Sequence, residues 1–328
     1  MSFGTRLKSL GFDTYMLLLI GTVVLATILP ARGIAADVVS HATTYAVALL
    51  FFIYGARLDT ASIVAGIANW RLQGLVLAST FIAFPIIGII FSIILAPVLP
   101  PEIIVGIIYI SILPSTVQSS IAFTSMAGGN VPAAVCAASV SNLLGVIVTP
   151  LLAGALIHTN GGGFDGQAII DIGVQLLLPF IVGQALRPLI GNWIKRHGKL
   201  TRIVDRGSIL LIVYSAFSAG VVAGIWSQVE PWELAIMVVA DIVMLAIIMV
   251  GTVAVGRASK MPYADAIVLL FCGSKKSLAS GLPMANILFA GRSIGLIVLP
   301  IMIFHQIQLF VCAVIAQRSA YRNALAAE

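Results

Sequence analysis

Charged residues are scarce in this chain. Asp, Glu, Lys and Arg together make up 9% of its 328 residues, whereas hydrophobic residues make up 60%, and the mean hydropathy is +1.11. A soluble protein needs more polar surface than this to cover its core. The composition therefore predicts an integral membrane protein whose surroundings are a lipid bilayer.

Cysteine is also rare, which argues against a disulfide framework. Cys136, Cys272 and Cys312 all lie in apolar runs, where a thiol acts as a small packing side chain. The four histidines have no metal-ligand spacing, so we expect no zinc site. A phosphate-binding motif of the G-x-x-x-x-G-K-[ST] type is missing too, which argues against a primary pump. No pair of nucleophile and base indicates an enzyme.

The formal net charge of +6 does not indicate a nucleic-acid partner, because the basic residues do not cluster on one soluble face. Arg6 and Lys8 precede an apolar run, as in a signal peptide. That run is long, has no small-residue cleavage pattern and is followed by many similar runs. We therefore expect it to be the first transmembrane helix.

Ten apolar segments are long enough to cross a bilayer, which takes about 20 helical residues. Their predicted limits are 13–30, 39–57, 72–95, 102–127, 131–157, 168–187, 204–226, 232–255, 262–290 and 293–316. Lys and Arg accumulate in short cytoplasmic loops. With these limits, fourteen basic residues lie on one side and only Arg32 and Arg292 on the other. The sequence thus predicts an all-α protein with ten spans and both termini in the cytoplasm.

Spans four and nine contain helix breakers near their centres. In span four, the run LPST at residues 113–116 contains Pro114, which lacks a backbone N–H and disfavours helix in the residue before it. Residues 272–274 (CGS) hold a glycine, which is a weaker breaker. Each half of the chain, 13–157 and 168–316, has five spans, so the second half enters the membrane in the opposite direction. Interrupted helices in two inverted halves predict a transporter with a binding site near the middle of the bilayer.

Polar residues follow the first break closely. They are Ser115, Thr116, Gln118, Ser119 and Ser120. The ends of a broken helix recognise anions through free N–H groups and cations through free carbonyls. One alternative is that these side chains only cap the second half-helix. Because a cap needs one or two such residues, we expect the group to bind substrate or a coupling ion.

The second break carries Lys275, Lys276 and Ser277. An offset of 157 residues aligns VQSSIA with SKKSLA, so that Gln118 corresponds to Lys275. A lysine at the centre of a spanning helix costs about 2.5–3.5 kcal/mol on insertion scales, so it needs a partner, a cavity or a neutral form. Three interpretations stay open: lysines that snorkel to an interface, a fixed charge facing an anionic substrate, or a carrier of a coupling proton.

Further polar residues lie inside other spans. Asn142 in span five, with His305 and Gln308 in span ten, are candidates for substrate binding or coupling. Hydrogen bonding between helices is the alternative for all three. Asp241 in span eight is expected either to pair with a lysine or to face a water-filled crevice.

Several of these motifs resemble one known family. The run LPSTVQSSIAFTSMAGGNVPAAVCAASVSNLLGVIVTPLL, together with P-x-x-x-F-H-x-x-Q from Pro300 to Gln308, is similar to the bile acid:sodium symporter superfamily, which is solute carrier family ten. The runs LLLPFIVGQALRP, LFCGSKKSL and FFIYGARL resemble the bacterial branch that is related to the seventh human member. The resemblance extends over nearly the whole chain.

This resemblance implies a single transporter unit made of two inverted five-helix repeats. Spans 13–30, 39–57, 168–187 and 204–226 would form a panel, and the regions 72–157 and 232–316 a core in which spans four and nine cross at their breaks. The implied function is secondary active transport of a small organic anion by alternating access, in the inner membrane of a bacterium. A channel or a regulator of ion homeostasis is the alternative.

The same resemblance implies sodium as the coupling ion and no other cofactor; a proton is the alternative that the two lysines raise. It assigns sodium contacts to Ser119 and Ser120. The hydroxyl-bearing sodium positions of span five, however, fall on Ala134 and Ala138. A methyl group offers no oxygen ligand, so the sodium site is incomplete at these positions.

Span nine departs from the family as well. The family's E-x-G-x-Q-N pattern aligns with residues 271–276, where Phe271 replaces the glutamate and Lys275 and Lys276 replace the amides. Loss of the carboxylate makes sodium coupling doubtful. We hypothesise that one of the two lysines fills the space of a bound cation with its own charge, so that transport is proton-coupled or uncoupled.

Overall fold

The structure is a computed structural model that describes residues 14–57, 69–157, 178–222, 224 and 229–325. Within these ranges the chain forms helices joined by turns and short connections, without a β-strand. The all-α prediction is therefore confirmed for the described part of the chain.

Twelve helices make up the described residues. They are α1 (Thr14–Ile28), α2 (Ile34–Arg57), α3 (Trp70–Leu95), α4 (Pro101–Ile112), α5 (Gln118–Met126), α6 (Val131–Leu156), α7 (Leu178–Arg196), α8 (Gly198–Val222), α9 (Pro231–Ala258), α10 (Tyr263–Gly273), α11 (Leu278–Leu288) and α12 (Ile294–Leu325). Helix α3 contains a π-helical turn at Ser79–Ala83.

Six of the described helices are long and apolar enough to cross a membrane, namely α2, α3, α6, α8, α9 and α12. The chain is thus a multi-pass membrane protein. The predicted spans 102–127 and 262–290 are each divided into two shorter helices. The predicted spans 13–30, 168–187 and 204–226 lie partly outside the described residues. The count of ten crossings and their inverted repeat stay predictions.

Several helices extend beyond the predicted spans. Helix α7 continues to Arg196 and α12 to Leu325, whereas the predicted spans end at 187 and 316. Both extensions carry basic residues. Hydropathy shows where the lipid ends, but a helix continues as long as its backbone hydrogen bonds are made.

Local sequence explains where several helices begin. Asn130 precedes α6, and its Oδ1 accepts a hydrogen bond from the N–H of Ala133 at 3.1 Å, which caps the helix. Pro101 and Pro231 occupy the first position of α4 and α9. Proline fits there because the first N–H groups of a helix have no partner inside it.

The described residues cluster into two compact units. Unit 1 contains α1, α2, α7 and α8 with Leu282–Val298, and unit 2 contains α3 to α6, α9, α10, the start of α11 and α12 from Leu299. In unit 1, α2 packs against α7 and α8 against α1 and α2. A Cβ at Gly55 would clash with the Phe180 carbonyl, and one at Gly183 with the Phe52 carbonyl. Glycine therefore lets the backbones of α2 and α7 touch.

In unit 2, α10 packs against α3, α5, α6 and α9, and α4 packs against α3 and α6. The hydrophobic core between them includes Leu72 and Val76 of α3, Ala134 of α6, and Val268 and Cys272 of α10. This packing surrounds both helix interruptions with other helices. The candidate site described next lies within unit 2.

Candidate functional site

The first interruption separates α4 from α5. Helix α4 ends at Ile112, Leu113 is extended with φ −73° and ψ 154°, and α5 begins at Gln118. Pro114 explains the break, since it has no N–H for the Ile110 carbonyl and restrains the residue before it. The Ile110 carbonyl accepts from the Leu113 N–H instead, at 3.3 Å.

The carbonyls at this break have lost their helical donors, and each has another partner. The pairs are Ser111 O with Lys276 Nζ (2.7 Å), Ile112 O with Thr149 Oγ1 (2.8 Å), Leu113 O with Lys276 Nζ (2.7 Å), Pro114 O with Ser277 N (2.9 Å) and Ser115 O with Asn142 Nδ2 (2.7 Å). Buried backbone groups need such partners. The interruption is therefore held in place by donors from α6 and from the second break.

The second interruption separates α10, which ends at Gly273, from α11, which begins at Leu278. The Gly273 carbonyl accepts from Ser79 Oγ of the π-helical turn at 2.8 Å. The N–H of Ser277 reaches the first break at Pro114. Both predicted breaks are thus present and hydrogen-bonded to each other. We call residues 111–120 and 271–281, with the side chains that contact them, the break site.

Lys276 is fully buried in the break site, with 0% of its surface exposed. Its Nζ donates to three carbonyls, those of Thr80 (2.8 Å), Ser111 (2.7 Å) and Leu113 (2.7 Å). It also lies 4.1 Å from the centre of the Phe84 ring. The three protons of the ammonium are therefore all used, and the aromatic face adds a favourable cation–π contact.

Helix α3 supplies the Thr80 carbonyl because of its π-helical turn. The N–H of Phe84 donates to Ser79 O with π spacing, so the next donor in the series would be residue 85. That residue is Pro85, which has no N–H. The Thr80 carbonyl is consequently left without a helical partner and accepts from Lys276.

The backbone of Lys276 is held by Gln308 of α12. Gln308 Oε1 accepts from the Lys276 N–H, and Gln308 Nε2 donates to the Lys276 carbonyl, both at 2.8 Å. These contacts fix the orientation of the Gln308 amide. Its Nε2 also lies 2.9 Å from His305 Nδ1, which must then accept. The two candidates of span ten thus belong to the break site.

Lys275 is equally buried, at 0% exposed, but its Nζ has fewer hydrogen-bond acceptors. Its Nζ donates to Ser119 Oγ at 3.3 Å and lies 4.4 Å and 5.6 Å from the ring centres of Phe123 and Phe271. One long hydrogen bond leaves two of its three protons without an acceptor. The two adjacent lysines therefore differ sharply in their surroundings, and neither snorkels to an interface.

Most of the hydroxyls after the first break form one chain of contacts. Thr116 Oγ1 lies 2.8 Å from Ser120 Oγ, Ser119 Oγ donates to Thr116 Oγ1 at 2.9 Å, and Ser120 Oγ donates to the Phe271 carbonyl at 3.1 Å. The residue that precedes α5 is Val117, which makes no side-chain cap. These hydroxyls thus join the breaks rather than cap α5. Gln118 is exposed and lies outside this network.

Ser115 and Asn142 connect the break to α6. The Ser115 N–H donates to Ser141 Oγ at 3.0 Å, whereas Ser115 Oγ is buried and has no partner. Asn142 Oδ1 accepts from Ser280 Oγ at 2.7 Å. Ser277 Oγ in turn accepts from the Ser280 N–H at 3.1 Å, which caps the start of α11.

Three findings go beyond or against the sequence predictions. Asp241 pairs with neither lysine and faces no crevice, because it is 0% exposed and both its oxygens lack a hydrogen-bond partner. The π-helical turn with Thr80 was not predicted, although the Phe84-Pro85 pair inside a long apolar helix signals a distortion. Ser141 and Thr149 were also missed, since isolated hydroxyls in a helix give no local signal of what they contact.

Comparison with known proteins identifies the family of this chain. The chain matches the SBF-like CPA transporter family over residues 13–321. It is 52% identical over 313 residues to an uncharacterised protein of Pseudomonas aeruginosa, which covers 95% of this chain and 94% of that protein. It is 50% identical over 306 residues to YfeH of Escherichia coli K12, which is named as a candidate symporter, covering 93% and 92%.

A more distant relative is the sodium/bile acid cotransporter 7 of Rattus norvegicus, at 24% identity over 274 residues, covering 82% of this chain and 80% of that protein. The predicted resemblance to bile acid:sodium symporters is thereby confirmed. A transporter of this family is embedded in a membrane and moves a small solute; it is not an enzyme. The family match includes every residue of the break site and all six long apolar helices, so the chain belongs to the SBF-like CPA transporter family.

Proposed function

We propose that this protein is a secondary active carrier of small organic anions in which Lys276 supplies a fixed positive charge in place of a coupling sodium ion. The observation that carries the proposal is the cage of three carbonyl oxygens around Lys276 Nζ at 2.7–2.8 Å. Carbonyl oxygens at the end of a broken helix suit a monovalent cation. Here the ammonium group meets that requirement from within the chain.

The residues near Ser119 and Ser120 do not suit sodium either. Sodium would bind the hydroxyl oxygens, and each of these already accepts a hydrogen bond, Ser119 Oγ from Lys275 and Ser120 Oγ from Thr116. The ammonium of Lys275 lies 3.3 Å from Ser119 Oγ, where it would repel a second cation. Ala134 and Ala138 offer no side-chain oxygen. We therefore propose that transport is coupled to protons or is uncoupled.

Lys275 is the lysine that we assign to the substrate or to the coupling proton. It has two protons without an acceptor, whereas Lys276 has none. A carboxylate of an organic anion would accept both and form a charge-assisted pair, which is stronger than a neutral hydrogen bond. Because Lys275 is buried in this conformation, the anion reaches it only when the carrier changes conformation, as alternating access requires.

We also propose that the chain crosses the inner membrane of a bacterium ten times, as two inverted repeats over 13–157 and 168–316, with both termini in the cytoplasm. The distribution of basic residues supports the orientation. The two interrupted helix pairs, α4–α5 and α10–α11, support the repeat, since one lies in each half.

Uptake into proteoliposomes tests this proposal. The purified full chain is reconstituted, and uptake of labelled organic anions is measured with and without an inward sodium gradient and an inward proton gradient. We expect saturable uptake and counterflow, which a channel does not show, and no response to sodium. Sodium stimulation with a defined stoichiometry would overturn the assignment of Lys276, and conductance without saturation would overturn the carrier function.

Measurements of thermal stability test the proposed anion site at Lys275. A bound anion stabilises the native state by mass action, so a panel of organic anions is screened for a rise in melting temperature. The wild type is expected to respond, and Lys275→Met to lose the response. An unchanged response in Lys275→Met would move the anion site away from Lys275.

A further inference from the structure

We infer that Asp241 is a proton-binding site of this protein, separate from the break site. Asp241 lies within α9 and is 0% exposed. Both of its carboxyl oxygens are buried, and neither has a hydrogen-bond partner. Among the described residues, the buried acidic and basic side chains are Asp241, Lys275 and Lys276. Lys276 has three acceptors, and Lys275 has one acceptor and two aromatic faces, so Asp241 is the group among these three whose side chain has no hydrogen-bond partner at all.

An ionised carboxylate is not stable in such a place. Without water, a hydrogen-bond donor or a cation, the charged form costs far more than the neutral one. Two occupants would resolve this: a metal cation or a proton. The surroundings decide between them, because the other ligands of a cation would come from side chains one turn away on α9 or from the helices packed against it.

The side chains one turn away on α9 are apolar. Met237 and Leu245 lie four residues before and after Asp241, and Met244 lies three residues after it; all three are buried. Sodium and other hard cations need several oxygen ligands, whereas this surface offers only the two oxygens of Asp241. Within the described residues, no group of three or more His, Cys, Asp or Glu side chains could hold a metal. A proton needs one carboxyl oxygen and fits the site.

The helices around α9 bring no partner for this carboxyl group. Helix α9 packs against α10 and against the π-helical turn and second half of α3. The ionisable side chains of α3 and α10 are Arg71, Tyr263, Asp265 and Cys272. None of them donates to Asp241, and Asp265 accepts from Asn69 and Asn130 at 3.1 Å and 2.8 Å instead.

The position along α9 separates Asp241 from the lysines. A Cβ built on Gly273, at the second break, would lie 3.3 Å from Thr252 of α9. Asp241 precedes Thr252 by three turns of the helix, which is about 16 Å along its axis. Lys276 also has no proton left to donate. Asp241 is therefore a second ionisable site and not the counter-ion of the break site.

Release of this proton requires a change in the surroundings of Asp241, since the charge that remains needs water or a donor. A carrier that exposes Asp241 in only one of its conformations would thus bind and release one proton in each cycle. This coupling role rests on the proposed carrier function. The inference that Asp241 binds a proton in the structure described here does not depend on the carrier function.

Infrared spectroscopy tests the proton-binding site directly, without any transport. Spectra of the full-length wild type and of Asp241→Asn are compared in lipid at neutral pH, with Asp265→Asn as the control for a paired carboxylate. We expect the wild type minus Asp241→Asn difference spectrum to show the carbonyl stretch of a protonated carboxyl group, and the wild type minus Asp265→Asn difference spectrum to show carboxylate bands. Carboxylate bands from Asp241 would overturn the inference.

Proteoliposome uptake tests the coupling role. With an inward proton gradient, Asp241→Asn is expected to lose the stimulation of uptake, and Asp241→Glu to keep it, because Glu restores a protonatable group. Stimulation of Asp241→Asn equal to that of the wild type would show that Asp241 does not couple. If the wild type transports no anion at all, the carrier function itself fails, and the infrared result still decides whether Asp241 binds a proton.

Discussion

The N–H of Ser277 donates a hydrogen bond to the carbonyl of Pro114 at 2.9 Å. This bond joins the two helix interruptions by backbone atoms alone, although they are far apart in the sequence. Proline contributes twice, since it breaks α4 by lacking an N–H and then offers its own carbonyl to the other break. Changes at one interruption are therefore expected to affect the other.

The two lysines should respond oppositely to removal of their charge. Lys276→Met leaves three buried carbonyls without a donor, each at a cost of about 1–3 kcal/mol, and this exceeds the gain from removing one buried charge. Lys275→Met loses one long hydrogen bond and also removes a buried charge, so we expect it to be neutral or stabilising. The measurement is thermal unfolding of both purified variants in the same detergent. A Lys275→Met protein that is less stable than Lys276→Met would contradict the proposed cation cage.

Lys276→Ser should make the protein sensitive to sodium. The shorter side chain empties the carbonyl cage, so that three carbonyl oxygens line a cavity once occupied by an ammonium group. At a sodium concentration of 100 Kd, binding would raise stability by about 2.7 kcal/mol. The melting temperature is measured in sodium and in choline chloride, with Lys276→Met as the control that fills the space. Equal melting of Lys276→Ser in both salts would argue against a cation-like cage.

Removal of the Gln308 amide should destabilise the protein far more than removal of the neighbouring Gln306 amide. Gln308→Leu removes both hydrogen bonds to the backbone of Lys276, which leaves a buried N–H and a buried carbonyl unpaired, at about 1–3 kcal/mol each. Gln306→Leu, two residues earlier on α12, changes an amide that takes no part in the break site. Circular dichroism melts of the two variants provide the comparison. Similar melting of both variants would show that the clamp on Lys276 contributes little.

The orientation of the chain is tested with reporter fusions. Alkaline phosphatase folds outside the cytoplasm, and green fluorescent protein fluoresces when it folds inside. We expect phosphatase activity after residue 160, in the predicted outer connection, and fluorescence after residue 198 and at the C-terminus. Phosphatase activity at the C-terminus would contradict the predicted cytoplasmic C-terminus.

The sequence predicts the positions of the two breaks well, because breaks arise from local backbone chemistry. Pro114 removes a donor wherever it occurs in a helix, and α4 ends at Ile112 as this requires. The partners of the break residues depend instead on contacts between distant segments. Nothing near Thr80 in the sequence indicates that its carbonyl accepts from Lys276, a residue 196 positions away.

The internal alignment shows a similar limit. The offset of 157 residues between VQSSIA and SKKSLA places Gln118 opposite Lys275, but α5 begins at Gln118 and α11 at Leu278. Short stretches of similar side chains therefore do not coincide with the helix starts. Likewise, the residues next to the lysines in the sequence cannot show which ammonium group finds hydrogen-bond acceptors. The acceptors of Lys276 are carbonyls in other helices that lack a helical partner because of Pro85 and Pro114.

A glycine of α6 makes room for the first break, and this gives the last prediction. A Cβ added to Gly145 would lie 2.6 Å from the Pro114 Cβ and 2.7 Å from its Cγ. Proline cannot rotate away, so Gly145→Ala must displace the break or α6, at about 1–3 kcal/mol. The control is Gly251→Ala on α9, which has nothing within 4 Å of its added Cβ and should gain about 0.5–1 kcal/mol from the higher helix propensity of alanine. Thermal unfolding and anion uptake of both variants are measured together: Gly145→Ala should be impaired in each, and wild-type behaviour of Gly145→Ala would mean that the Pro114 carbonyl and the Ser277 N–H tolerate a shifted break.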